Sequence, residues 1–497
     1  MYNFRLRHST GPLHSLCPIV LALLLCLPIP ATAQYAAWED LRQAFEAALE
    51  QAPVSDWESG SWDPGDIEEC FEDQSFCFGN NPLTVYSYAE FRPRFPELRR
   101  YAGGFMLGED EGVVVLLQTP PEMQYMGFTP YVHNRRLPDA PFWSTRRPLV
   151  TASFGDSLNQ LRFNAHPGPG EVPGSAYPFE RLSALVMTAN QSVATGLVEL
   201  LEASGLPASA TNILSVPVGD ATLPLYAGYS RDADEFALLG RFSLPADPQA
   251  VEDWYAASPV AVYRVALDTG GFTPYPLQPY ASRITGRSEY ELLPGVEARL
   301  ANLATALRRR HAPSAPRTFA TGTGYAGEGW DCLRDYLPCA YDNQDALYYR
   351  FNTFPTILNM TSDAGNFWYI AGVNHQRTGK ALYTNHAVYF VQIAGGVSSI
   401  DDSDSIGSAA FYAQAFAGGL EIGDFDDFYV FRIARDCAID ELEAGFCIEV
   451  PYPSQGQPIG VEDDDDIYPV IRFYVDSQSG VGPALSEIVP PVLLVYE

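Results

Sequence analysis

Lysine is all but missing from this chain: Lys380 is the only one among 497 residues, and nearly all other basic side chains are arginine. That bias most simply reflects a GC-rich, bacterial genome. Basic residues are scarce altogether, with 30 Lys and Arg against 61 Asp and Glu and a net charge of −31. Such a charge repels phosphate backbones and anionic lipid surfaces, so no nucleic-acid partner is expected. Also absent are a P-loop, HExxH, GxSxG and the haem motif CxxCH, which removes several common enzyme classes. No apolar run reaches the ~20 residues that span a bilayer, so no membrane insertion is expected.

What is present begins at the N-terminus. Arg5 and Arg7 precede an apolar run from Pro18 to Ile29, and Ala31-Thr32-Ala33 follows as a small-x-small cleavage site. This is the layout of a secretory signal peptide, and it predicts a secreted or periplasmic protein. Leu25 stands before Cys26 where a lipoprotein anchor needs a small residue, so cleavage after Ala33 is expected. Loss of Cys17 and Cys26 leaves six cysteines in close pairs: Cys70 with Cys77, Cys332 with Cys339, and Cys437 with Cys447. Fifteen pairings are possible in principle, but short loops close at least entropic cost. No histidine lies beside any pair, which argues against zinc. Three local disulfides are predicted, and these persist in oxidising compartments.

The expected fold class is α+β. Residues 1–33 are the signal peptide, 34–110 an N-terminal helix (36–51) with an irregular disulfide segment, and 111–290 an α+β domain. Residues 291–318 form a helix and linker, and 319–497 a β-rich, sandwich-like C-terminal domain. Within 182–266 the order reads strand, helix, strand, strand, helix, strand, with Gly205 ending the first helix and Asp247 capping the second. That βαββαβ order predicts a ferredoxin-like unit with both helices on one face of its sheet. Leu149 to Phe163 reads as a hairpin about Gly155-Asp156. Candidate strands in the C-terminal part are 346–351, 367–373, 381–393, 428–434, 470–475 and 492–496. Aromatics make up 13% of the chain. Aromatic platforms bind sugars, but most here alternate as strand residues do, so a structural role is the preferred reading.

Three stretches could carry chemistry. Phe154-Gly155-Asp156-Ser157-Leu158 resembles the nucleophile block of the GDSL esterases, which would make Ser157 the nucleophile. The Gly-x-Asn-Asp and Asp-x-x-His blocks of that family are missing, so a turn is the better account of these residues. The densest polar cluster is Gly372-Val373-Asn374-His375-Gln376-Arg377-Thr378-Gly379-Lys380, which gathers an imidazole, two cations and an amide in one loop. Asn374, His375, Arg377 and Lys380 there could bind an anion, with His375 as a general base, supported by Asp342 and Asn343 after Cys339. Gly372–Tyr383, with Asp342-Asn343 and the ending Glu487-Ile488-Val489-Pro490-Pro491, resembles an uncharacterised group of secreted, mainly bacterial proteins. That resemblance implies that these stretches belong to one module and brings no activity with it. Acidic runs at Asp401-Asp402-Ser403-Asp404, Asp424 with Asp426-Asp427, and Glu462–Asp466 match no EF-hand or RTX repeat, so solvated loops are expected, with room for a structural calcium.

The leading reading is a non-catalytic binding or structural protein outside the cytoplasm, with no cofactor. Its partner class is an extracellular small molecule, glycan or protein. The alternatives are a serine ester hydrolase using Ser157, and an enzyme or ligand site on the Asn374–His375 loop. Whether the chain is an enzyme, and its oligomeric state, stay open at this level.

Overall fold

The computed structural model describes residues 35–52, 54–65, 68–92, 103–137, 148–167, 177–325, 329–353, 358–401, 405–454 and 457–497. The expected signal peptide, with Cys17 and Cys26, and the acidic residues Asp402 and Asp404 lie outside them.

The N-terminal half is built on one ten-stranded sheet, ordered β5-β4-β9-β2-β1-β10-β3-β7-β8 with β6 beside β4. Its strands are β1 (Val54–Pro64), β2 (Thr84–Glu90), β3 (Glu111–Gln118), β4 (Met123–Asn134), β5 (Leu149–Ser153), β6 (Leu158–Asn159), β7 (Leu182–Thr188), β8 (Thr211–Ser215), β9 (Glu235–Pro245) and β10 (Val260–Leu267). β1 is the joint of the sheet: its first half pairs with β10 and its last four residues with β2. β3 is buried along its whole length because both faces are covered. Val113, Val115 and Leu117 join one core, while Val114 and Leu116 meet helices α1 (Ala36–Gln51) and α2 (Gln191–Ala203) on the other side. Helix α3 (Pro248–Ala257), capped by Asp247, buries Val251 and Trp254 in the first core.

This arrangement corrects the ferredoxin-like expectation. The six elements exist in the predicted order, but among the described residues β8 pairs only with β7, in parallel, and β9 lies between β2 and β4. β1 and β3, from outside the 182–266 window, separate strands that a ferredoxin-like unit would pair. The two helices also lie on opposite faces, α2 on one and α3 on the other. The hairpin expected at 149–163 is replaced as well: β5 and β6 both pair with β4 rather than with each other.

The C-terminal half is a sandwich of two five-stranded sheets, β11-β20-β14-β17-β18 and β12-β13-β19-β15-β16. These comprise β11 (Arg317–Phe319), β12 (Gly322–Tyr325), β13 (Ala346–Phe351), β14 (Phe367–Val373), β15 (Tyr383–Phe390), β16 (Gly395–Asp401), β17 (Phe428–Ala434), β18 (Cys447–Glu449), β19 (Ile467–Tyr474) and β20 (Val492–Tyr496). Trp368, Ile370 and Phe431 of one sheet meet Leu347, Ile471 and Phe473 of the other in a shared core. Helix α4 (Val296–Arg310) lays its Leu300, Leu303 and Leu307 stripe on the outer face of the first sheet. Phe71 and Cys77, from the N-terminal disulfide segment, also enter the sandwich core.

All three predicted disulfides are formed: Cys70–Cys77, Cys332–Cys339 and Cys437–Cys447. Among the described residues no helix is long and apolar enough to cross a membrane.

Candidate functional site

On β2, β4 and β9 the side chains turned away from the β3 core include Tyr86, Tyr88, Tyr131, His133, Leu239 and Arg241, two residues apart along each strand. The outer face of the β12–β16 sheet repeats the device. Its inward positions Leu347, Tyr349, Ile471 and Phe473 fill the sandwich, so the alternate positions Tyr348, Arg350, Arg472 and Tyr474 point the other way. The two surfaces face each other across a cavity of about 690 Å³. Tyr474 lines one side and is backed by Tyr383, stacked on it at 4.5 Å, and by Tyr125 at 4.8 Å. The Cys70–Cys77 loop, carrying Phe76 and Phe78, and the segment Cys339–Asp342 line the rest.

Two arginines dominate the electrostatics. Arg241 is 3% exposed and donates to Thr129 Oγ1 at 3.2 Å and to the Tyr341 carbonyl at 2.7 Å. Its guanidinium lies 5.6 Å from the Tyr131 ring centre and 5.8 Å from that of Tyr86. Arg472, also 3% exposed, donates to the carbonyls of Gly79 and Asn80 and to Asn385 Oδ1 at 3.4 Å, beside the rings of Tyr389 and Tyr348. All of these acceptors are neutral. Among the described residues neither arginine has a carboxylate within ion-pairing distance. Burial works against each charge, the surrounding tyrosines work for it, and both pKa values stand above the ordinary arginine value. Burial likewise raises Tyr348, Tyr389 and Tyr341, so these remain neutral phenols that both donate and accept. A third arginine, Arg350, is exposed and sits 4.6 Å from the Tyr468 ring centre.

The segment from Cys339 to Asp345 straps the halves together. Cys339 N and Tyr341 N donate to the carbonyls of Val150 and Thr151, and Asp342 accepts from Ser153 N (2.7 Å) and Ser153 Oγ (2.6 Å). Ala340, Tyr341 and Thr151 have φ of 50°, 56° and 43°. Left-handed conformations at such residues cost about 1–3 kcal/mol each and persist only where surrounding contacts impose them. Here the Cys332–Cys339 bridge and the Asp342 bonds impose them, and the result holds the Tyr341 carbonyl on Arg241 and its hydroxyl 3.0 Å from His133 Nδ1.

The residues singled out in the sequence are dispersed. Ser157 is 1% exposed, and its hydroxyl lies between Thr129 Oγ1 (2.6 Å) and Asn343 Oδ1 (2.8 Å), with no imidazole among its partners. Asn374 caps the short helix His375–Thr378, accepting from Arg377 N, and bonds Ser405. His375 is fully buried, with Nδ1 2.7 Å from Glu289 Oε1, while Arg377 reaches outward to Asp424. Lys380 is buried between Asp476 (2.8 Å), Glu487 (2.7 Å) and Thr285 Oγ1 (2.8 Å), so all three of its donors are used. Of the predicted binding residues, Asp342 alone lines the cavity. An amine-directed reagent is therefore expected to leave the only lysine unmodified in the native protein and to modify it fully after denaturation. Peptide mass spectrometry reads both states, and native labelling of Lys380 would contradict this burial.

As for metals, Cys437, Glu441 and Cys447 stand close enough to share an ion, but the two sulfurs are joined in a disulfide and offer no thiolate. Asp427 pairs with Arg299, and Asp465 accepts from Glu462 N.

No family model and no curated protein matches the chain. Among solved structures it is similar to an uncharacterised protein from Burkholderia cenocepacia, at 12% identity and a TM-score of 0.38 over 95% of this chain and 91% of that one. It is also similar to the BSP domain of a biofilm-associated protein, at 8% identity and a TM-score of 0.16 over 87% of this chain and 50% of that one.

Proposed function

We propose that this chain is a non-catalytic binding protein of an extracytoplasmic compartment, secreted or periplasmic, and that its tyrosine- and arginine-lined cavity holds an anionic ligand. One observation carries the reading: two buried guanidiniums in a chain with twice as many acids as bases make no ion pair with any described carboxylate, and Asp342, which shares the cavity, acts on Arg241 only from beyond ion-pairing distance. A buried, unpaired ion costs several kcal/mol. Elsewhere the same chain avoids that cost. Buried Arg135 meets Asp234 through two hydrogen bonds of 2.8 and 2.7 Å, and buried Arg264 meets Glu58. Arg241 and Arg472 differ from these in facing a cavity, where a ligand anion can supply the missing partner. The three disulfides support the compartment. On this reading the Gly372–Tyr383 stretch, which resembles that group of secreted proteins, serves the fold rather than the binding surface.

The test is a calorimetric titration of the oxidised protein with a panel of small anions, repeated on Arg241→Met and Arg472→Met. Truncating one side of a buried charge contact costs ~2–5 kcal/mol of affinity, so each variant is expected to bind at least about 30-fold more weakly. Without ligand, both variants should stay folded, losing the hydrogen bonds to the Tyr341 carbonyl or to the Gly79 and Asn80 carbonyls but no ion pair. Equal binding by the variants, or unfolding on a par with loss of a structural ion pair, rejects the proposal.

A further inference from the structure

Resting on that anion-binding reading, we infer that the ligand is a sparsely acidic oligosaccharide: a short run of neutral sugar rings carrying one or two carboxylate or sulfate groups. The lining separates this class from other anions. A site for a fatty acid would present aliphatic side chains along its length. This cavity instead presents tyrosines from both walls, with Leu149, Leu239 and Val470 as minor aliphatic patches. A tyrosine offers an apolar ring face and a hydroxyl that donates and accepts. A pyranose has the matching surface, with an apolar C–H face and a rim of hydroxyls.

The rings are also laid out as a platform of edges and hydroxyls, because the faces of Tyr348, Tyr389 and Tyr468 are packed against neighbouring rings and arginines. Tyr389 and Tyr468 stack with planes 26° apart, Arg350 covers Tyr468, and Tyr348 lies between Tyr325 and Arg472. Guanidiniums receive planar carboxylates and sulfates bidentately, so Arg472 and Arg241 fix the acidic group while neighbouring rings hold the adjoining sugars. The size fits a chain rather than a single sugar, since pockets of ~300–1,000 Å³ hold drug-sized molecules. The aromatic surface also continues into solvent, where Phe76 is 48% exposed and Tyr325 50% exposed. Sparse charge follows from the rim: Glu69 and Asp73 line it at exposed positions and would repel a densely anionic chain.

The experiment is isothermal titration of the oxidised protein with five probes: xylotriose bearing a single glucuronate, a xylotriose bearing a single sulfate, neutral xylotetraose, trigalacturonate, and 4-hydroxybenzoate as a non-sugar anion. One of the two singly acidic sugars should bind at least tenfold more tightly than xylotetraose, trigalacturonate and hydroxybenzoate, and which of them does so identifies the acidic group. Tyr348→Ala and the rim variant Tyr325→Ala should each weaken that binding several-fold, and the exposed position of Tyr325 protects the second test from misfolding. Hydroxybenzoate binding as tightly as either sugar, in an Arg472-dependent way, overturns this inference and leaves the anion-binding reading standing. Tighter binding of trigalacturonate overturns the sparse-charge assignment, and sugar binding indifferent to both tyrosines overturns the platform. If no probe or small anion binds, both readings fall together.

Discussion

Replacing Asp345 with asparagine is expected to stabilise the protein at pH 8 by up to about 4 kcal/mol and to change little near pH 4. Asp345 is fully buried in the strap, accepting from Asn159 Nδ2 at 2.7 Å and from the Tyr125 hydroxyl at 2.9 Å. Burial is the largest influence on it and pushes its pKa from 3.8 up to about 7, against the pull of those hydrogen bonds. A raised carboxyl stabilises the fold fully below its unfolded pKa. The benefit then falls by ~1.4 kcal/mol per pH unit until the folded form also ionises, here near pH 7. Asparagine imitates the protonated acid, so the gap between variant and parent should open from about pH 4 and level off above pH 7. Asp342, raised by burial to about 6, adds a slope of the same sign. His311, lowered by burial to about 4, adds one of opposite sign. Both cancel in the comparison of variant with parent. Denaturant unfolding at pH 4, 6 and 8 measures the gap. A variant less stable than the parent at pH 8 would mean that Asp345 is held there as an accepting carboxylate and that its burial is not the dominant influence.

The strap explains why the candidate site was hard to see in the sequence. Each local element was legible where hydrophobic alternation was strong: β13, β14, β17 and β20 lie where their Tyr, Phe, Ile and Val patterns place them, and α1 matches its helical stripe. β1 was not legible, because Val54–Pro64 is half-exposed along its length and is rich in Ser, Asp and Glu. Missing β1 hid the joint of the large sheet, and with it the reason why β9 leaves the neighbourhood of β7 and β8. The polar loop 374–380 attracted attention because its residues are dense in sequence. Their partners Glu289, Asp424, Asp476 and Glu487 lie about 45 or more residues away, and local pattern carries no trace of them. The cavity residues had a weaker but real signal: Tyr86-x-Tyr88, Tyr348-x-Arg350 and Arg472-x-Tyr474 place tyrosine and arginine on the strand face opposite the apolar positions. Aliphatic alternation on the other face made them read as ordinary strand residues. Only the pairing of two sheets turns them towards one another.

Lys380→Met should show what that loop does instead, with a loss of about 3–5 kcal/mol at pH 7. Asp476 and Glu487 are both buried, and their partner in common is the Lys380 ammonium. Burial works against the charge of Glu487, but hydrogen bonds from Lys380 and Thr285 and from the Gly286 backbone hold its pKa down at about 2. A depressed carboxyl stabilises the fold above its unfolded pKa and loses that contribution as pH falls through the folded value. Without the ammonium, two buried carboxylates are left without a counterion, and each can escape the cost by taking up a proton. The deficit of the variant should therefore be largest near neutral pH and shrink as pH falls towards 4. A second substitution, Glu487→Gln in the Lys380→Met background, should restore part of the stability at pH 7, because one of the stranded charges is gone. Urea unfolding of the single and double variants at pH 4.5 and 7 measures both effects. A loss below about 1 kcal/mol, or one that does not vary with pH, would mean that the triad is better hydrated than its burial indicates. Binding separates fold from function: folded Lys380→Met at low pH should bind the cavity's ligand as the parent does, whereas folded Arg472→Met should bind it at least about 30-fold more weakly.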